Sequence, residues 1–140
     1  MPILADTGAL LALLDADDKH HRTMVTYVTS SRELFLVPSP VVMELSYMLL
    51  ENLGAEAELS FLRALANREL LLEHFTLPDL ERAIEILEQY RDAELGMVDA
   101  TVMAMAERLK IKTILTIDRR DFSLFRPRHC AAFTLVPELK

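Results

Sequence analysis

Four carboxylates carry the chemistry this sequence could perform: Asp6, Glu44, Asp99 and Asp118. They are dispersed through a chain of 140 residues, so they matter together only if the fold gathers them. Acids brought that close repel one another and hold protons unless a cation neutralises them. Hard oxygen donors of this kind suit Mg²⁺ or Mn²⁺, one ion or two, rather than zinc or copper.

Each acid also has a plainer reading. Asp6 before Thr7 could cap the first helix, and Asp99 could serve the positive end of a later one. Glu44 lies among Val42, Met43 and Leu45. It is either a buried carboxylate with a partner or the solvated flank of an amphipathic helix. Asp118 and Asp121 could both be turn residues. Any one of these readings suffices for its residue; all of them together require a coincidence of placement.

The elements that would position the acids follow from apolar patterning. Pro2–Ala5 reads as a strand ending at Asp6, followed by helices over Thr7–Leu14 and about His20–Ser30. Leu34–Val37 is the second strand. Ser39 with Pro40 predicts a helix start, Ser as cap, with Val41, Leu45, Met48 and Leu49 at helical spacing and Gly54 at the end. A further helix covers about Glu56–Ala66, and Leu70–Leu72 is the third strand. Pro78 opens a helix whose buried stripe is read as Leu80, Ala83, Ile84 and Leu87. Val98–Leu109 is apolar nearly all round, which predicts a buried helix. Thr113–Thr116 and Ala132–Leu135 complete the set as fourth and fifth strands.

Strands alternating with helices predict an α/β fold with a central parallel sheet of four to five strands and helices on both faces. Right-handed crossovers then bring every strand's carboxyl end and every helix's amino end to one rim. Asp6, Glu44, Asp99 and Asp118 all project to that rim, where open α/β sheets bind ligands.

Composition bounds the rest. A chain of this length with 51% hydrophobic residues can bury one core and is read as a single domain over 1–140. No apolar run is long enough for a membrane helix. The N-terminus lacks the pattern of a signal peptide, and the single Cys130 rules out an internal disulfide, so a reducing cytoplasm is the expected home. The net charge of −7 argues against coating nucleic acid by bulk electrostatics. Acids concentrated around metal ions would reconcile that charge with a phosphate ligand.

The residues around these acids resemble a PIN domain of the VapC-like kind found in toxin–antitoxin pairs. The resemblance is carried by Leu4-Ala5-Asp6-Thr7-Gly8-Ala9-Leu10-Leu11, by Pro38-Ser39-Pro40-Val41-Val42-Met43-Glu44-Leu45, by Val98-Asp99-Ala100 and by Leu115-Thr116-Ile117-Asp118-Arg119-Arg120-Asp121-Phe122. It runs from residue 3 to about residue 135, in the family's order. It implies a three-layer α/β/α sandwich, Mg²⁺- or Mn²⁺-dependent endoribonuclease activity, and inhibition by a cognate antitoxin. Asp6, Glu44, Asp99 and Asp118 match the family's acidic quartet of catalytic metal ligands. Thr7 and Thr116 match supporting hydroxyls. Asp121 is a helper or a cap, since related sequences place the last acid at either position of this turn. The implied reaction is in-line attack of an activated water on a backbone phosphorus, leaving a 5′-phosphate and a 3′-hydroxyl.

Other residues carry weaker expectations. Arg119, Arg120, Arg126 and Arg128 cluster after the last acid and could contact RNA phosphates, though solvated surface arginines are the commoner case. His20 and His21 resemble a proton-transfer pair but sit at a polar helix start. The methionines fall mostly on apolar faces as core filling. The segments Met24-Val25-Tyr27-Val28 and Phe61-Leu62-Leu65 are candidate faces for a homodimer or an antitoxin. An aspartate-based phosphotransfer domain is the rival enzyme class, but its pattern wants an acid where Gly8 stands. A PIN fold kept only as a binding module is the non-enzymatic rival.

Overall fold

The computed structural model describes residues 1–139. Its five strands are β1 (Ile3–Ala5), β2 (Phe35–Pro38), β3 (Leu71–Glu73), β4 (Thr113–Leu115) and β5 (Thr134–Val136). All pair in parallel, in the order β3-β2-β1-β4-β5. The strands are short, and the central ones are sealed: Leu4, Ala5, Ile114 and Leu115 have no exposed surface. Helices on both faces bury such strands completely, which is why they read as continuous apolar runs.

The chain first winds outward from β1 through β2 to β3, then returns to lay β4 and β5 on the other side of β1. The direction of winding thus reverses between β1 and β4, and that switch opens a crevice at their carboxyl ends. Asp6 and Thr116 are the residues that step off the two strands there. The Asp6 N–H still donates to the Leu115 carbonyl at 3.0 Å, and the Thr116 N–H to the Val136 carbonyl at 2.9 Å.

The helices are α1 (Thr7–Leu14), α2 (His21–Ser30), α3 (Ser39–Leu53), α4 (Ala55–Ala66), α5 (Leu77–Gln89), α6 (Met97–Leu109) and α7 (Arg119–Leu124). Helix α6 is the buried one, with every residue from Ala100 to Glu107 inside. It packs against α5, while α3 packs against α4 and α1. Gly54 ends α3 at φ 95°, a left-handed conformation that side chains oppose, and its N–H closes on the Leu49 carbonyl at 2.9 Å.

Several local expectations are corrected. Ser39 is not the cap of α3; Pro38 holds that position without a side-chain bond. The Ser39 hydroxyl instead accepts the Phe75 N–H at 3.1 Å, tying the loop before α5 to the start of α3. The buried line of α5 is Asp79, Ala83 and Ile86, while Ile84 is 48% exposed. The phase of α5 is set by Asp79, which is 2% exposed and must face the Arg108 guanidinium on α6. The faces expected to await a partner mostly pack inward: Met24 and Phe61 are fully buried. The exposed apolar stripe lies on α3, where Met43, Tyr47 and Leu50 are 72%, 66% and 46% exposed.

Asp79 has two tasks. It forms a capping box with Thr76 at the start of α5, and it receives Arg108 Nε at 2.9 Å and Nη2 at 3.0 Å. Burial pushes its carboxyl up, but the bonds from Arg108 and Thr76 outweigh this and hold it below the ordinary carboxylate range. A depressed folded pKa means the contribution is present at neutral pH and is lost as pH falls below about 4. Arg108→Ala is expected to cost about 2 kcal/mol at pH 7, by stranding a buried carboxylate. In urea unfolding, that penalty should shrink as the pH is lowered to 3.

Candidate active site

Asp6 leaves β1 and turns directly into α1, and its two oxygens are both engaged. Oδ1 accepts the Ala9 N–H at 2.9 Å as the helix cap, and Oδ2 accepts the Thr116 hydroxyl. The capping reading of Asp6 therefore holds, and its second oxygen is turned to the hydroxyl that follows β4. The residue is 4% exposed, and its carboxyl is pushed up to about 6. Burial is the main cause, opposed by the bonds from Thr116 and Ala9 and reinforced by the charges of Asp118 and Glu44. With both oxygens occupied and almost no exposure, Asp6 is poorly placed to be the nucleophile of a phosphotransfer reaction.

Thr116 is completely buried, and its oxygen also accepts the Asp118 N–H at 2.8 Å. One hydroxyl thus joins the acid after β1 to the backbone of the acid after β4. Asp118 in turn caps α7, its Oδ1 accepting the Asp121 N–H at 3.2 Å. Asp121 lies in the first turn of that helix. Asp99 reaches the same place from the first turn of α6.

Carboxylate oxygens of Asp99, Asp118 and Asp121 lie within 4.8 Å of one another. Asp99 is pushed up to about 7, by burial first and then by the charges of Asp6, Asp118, Asp121 and Glu44. Asp121 is raised as well, by burial and Asp118, with Arg120 opposing. A helix amino end normally favours a carboxylate; at Asp99 desolvation and crowding win. Glu44 is solvent-exposed on α3, outside the trio, yet its charge bears on both Asp6 and Asp99. It therefore faces the cluster as the solvated flank of its helix and not as a buried carboxylate with a partner.

The donor set fits a hard divalent cation: three carboxylate oxygens close together, two of the acids raised in proton affinity by burial and neighbouring charge, with a fourth and fifth acid nearby. Asp121 is the member that sequence reasoning left as a helper. Its signal was present in the spacing of Asp118 and Asp121, which puts both carboxylates on one short turn. Thr7, the other supporting hydroxyl, is 7% exposed, and its Oγ1 has no hydrogen-bond partner among the described residues.

The remaining candidates separate. Arg119 donates to the carbonyls of Leu135 and Pro137, at 3.0 Å to the former. Arg120 is 72% exposed and pairs with Asp121 at 3.0 Å. The Arg126 guanidinium bonds the Ser123 carbonyl. Arg128 reaches Glu85, and its N–H bonds Glu107 near the far end of α6, about 12 Å along the axis from Asp99. His21 Nδ1 lies 2.9 Å from the Ala12 carbonyl, a structural bond. His20 lines a cleft of about 540 Å³ with Lys19, Thr23, Glu138 and Leu139, which contains neither Asp6, Glu44 nor any of the carboxylate trio. Cys130 is half-buried beside His129, away from the cluster.

Comparison with known proteins bears on the fold and the family. The PIN domain family profile matches residues 3–126. Ribonuclease VapC26 of Mycobacterium tuberculosis is 37% identical over 135 residues, covering 96% of this chain and 100% of the relative. Among solved structures, VapC20 of Mycobacterium tuberculosis, described as a sarcin-ricin loop cleaving toxin, superposes with a TM-score of 0.82 at 26% identity, covering 92% of this chain and 98% of its own. VapBC2 from Rickettsia felis, solved bound to a promoter DNA fragment, shares the fold with a TM-score of 0.69 at 18% identity, covering 97% and 98%. The chain belongs to the PIN domain family, among its VapC-like members.

Proposed function

We propose that this chain is a divalent-metal-dependent endoribonuclease and the toxin of a toxin–antitoxin pair. The observation that carries the reading is the carboxylate trio of Asp99, Asp118 and Asp121 at the sheet's switch point, with Asp6 and Glu44 acting on it. The names of VapC26 and VapC20 support RNA as the substrate. Neighbours solved as toxin–antitoxin assemblies support a cognate antitoxin. The exposed stripe of Met43, Tyr47 and Leu50 supports a homodimer. Among the described residues no helix is long and apolar enough to cross a membrane; the single cysteine supports a reducing cytoplasm as the location.

In this reading, Asp99, Asp118 and Asp121 hold Mg²⁺ or Mn²⁺, one ion or two, and Asp6 completes the negative wall behind them. The bound cation supplies charge neutralisation at the phosphate and a water made acidic enough to ionise near neutral pH. Asp99 must release a proton before it can serve. Thr116 fixes Asp6 and the Asp118 backbone in one arrangement, so the acids do not need to be organised at the moment of reaction. Glu44, free in solvent on α3, can orient the attacking water or accept its proton.

Cleavage of labelled RNA in Mn²⁺ should be abolished by EDTA and leave 5′-phosphates. Asp99→Asn, Asp118→Asn and Asp121→Asn should each lose at least about 100-fold in kcat, a loss typical of removing a preorganised charge. Circular dichroism should show them folded. Cleavage that survives EDTA and all three substitutions would place the activity elsewhere.

The raised carboxyls give a pH test with a definite sign. Asp6 at about 6 and Asp99 at about 7 bind protons more tightly folded than unfolded. Their contribution to the metal-free fold is therefore complete below about pH 4 and disappears as pH rises through 6 and 7. Asp99→Asn should raise the Tm of metal-free protein at pH 7.5 and have little effect at pH 4.5. Mn²⁺ affinity should fall about tenfold per pH unit below 7, where each ion must displace a proton. A pH-independent affinity between 5 and 8 would show that Asp99 is not a ligand.

A further inference from the structure

An acidic protein that cuts a polyanion needs a fixed cation where the strand lies, and four arginines follow the last acids. The structure distributes them unequally. Arg119 is consumed by the Leu135 carbonyl of β5 and the Pro137 carbonyl just after it. Arg126 is folded onto its own turn, and Arg128 belongs with Glu85 and Glu107 at the far end of α6. Arg120 is the one arginine of the four paired with a member of the carboxylate trio, at 3.0 Å from Asp121 Oδ1, while remaining 72% exposed.

Building on the RNA-cleaving reading above, we propose that Arg120 is a substrate-binding residue, whose guanidinium bridges Asp121 and a backbone phosphate beside the bond that is cut. A guanidinium is a planar fork of five N–H donors, suited to phosphate oxygens. Asp121 engages the Nη1 corner, and the exposed remainder faces solvent at the rim. Asp121 is only 15% exposed, so the pair is anchored at its acid end and free at its basic end. That anchoring reduces the side-chain freedom to be lost when a phosphate docks. A cation between Asp121 and the strand also screens the approaching phosphate from the nearest carboxylate. The alternative, a surface ion pair of no consequence, would contribute little to anything, and it makes opposite predictions.

The test is the salt dependence of RNA binding, a quantity that a merely structural residue does not move. An Asp6→Asn background slows turnover and retains a capping side chain at that position. Binding of a fluorescein-labelled single-stranded RNA of mixed sequence is followed by anisotropy in Mn²⁺ over a range of NaCl. Adding Arg120→Ala should weaken binding about tenfold and lower the slope of log Kd against log salt by about 0.7, the loss of one phosphate contact to a single strand. Arg120→Lys should keep the slope at an affinity between the two. Arg126→Ala should match the background in both. If Arg120→Ala matches the background in affinity and slope while the wild type cleaves RNA, the assignment of Arg120 is overturned and the nuclease reading stands. If the wild type neither binds nor cleaves RNA, both fall.

Discussion

Like charges crowd one rim of this sheet, and backbone connectivity keeps them there, not any attraction among them. Asp6 and Asp99 come from two separate turns and Asp118 with Asp121 from a third, and the raised proton affinities of Asp6 and Asp99 record burial first and then the neighbouring charges. Left to themselves, such groups would separate or protonate. They stay because Asp6 cannot move without uncapping α1, Asp118 cannot move without uncapping α7, and Asp99 rides on a helix that is buried from Ala100 to Glu107.

The cost is offset at a distance from the site. Leu4, Ala5, Ile114 and Leu115 seal the two central strands, and α6, buried from Ala100 to Glu107, packs against α5 and α3. Tyr90, Phe122, Phe125 and Phe133 pack ring against ring, with centroids 5.5 to 6.2 Å apart, and hold α7 at the angle that turns Asp121 inward. The ion pair of Asp79 with Arg108 and the contact of Arg82 with Glu107 at 2.7 Å then pin α5 to α6 from outside. Stability drawn from these places allows the rim to remain electrostatically strained, which is the condition for a cation to bind there favourably.

Much of this was legible in the sequence, for a physical reason. A parallel sheet places strand ends and helix starts on one rim by topology alone, so Asp6, Asp99 and Asp118 could be brought together from element order. Asp6 was also readable as a cap, and it is one; Asp118, read as a turn residue, caps α7. What the sequence could not show depends on contacts between distant elements. Asp121 joins Asp99 and Asp118 because Phe122 and Phe125 bury the other side of α7, a phase that a six-residue helix does not reveal by periodicity. Ser39 serves Phe75 rather than its own helix, and α5 is rotated so that Ile86 is buried and Ile84 is not, because Arg108 must reach Asp79. Arg119 and Arg120 are adjacent and chemically identical, yet one is locked on the carbonyls of Leu135 and Pro137 and the other is exposed at the rim beside Asp121.

The central claim, that this acidic rim holds a divalent cation, is tested most directly by anomalous diffraction from crystals of the protein soaked in Mn²⁺. The account predicts an anomalous peak ligated by oxygens of Asp99, Asp118 and Asp121, lost in crystals of Asp99→Asn. Mn²⁺ absent from that position at millimolar concentration and pH 7.5, or bound only elsewhere on the molecule, would contradict it.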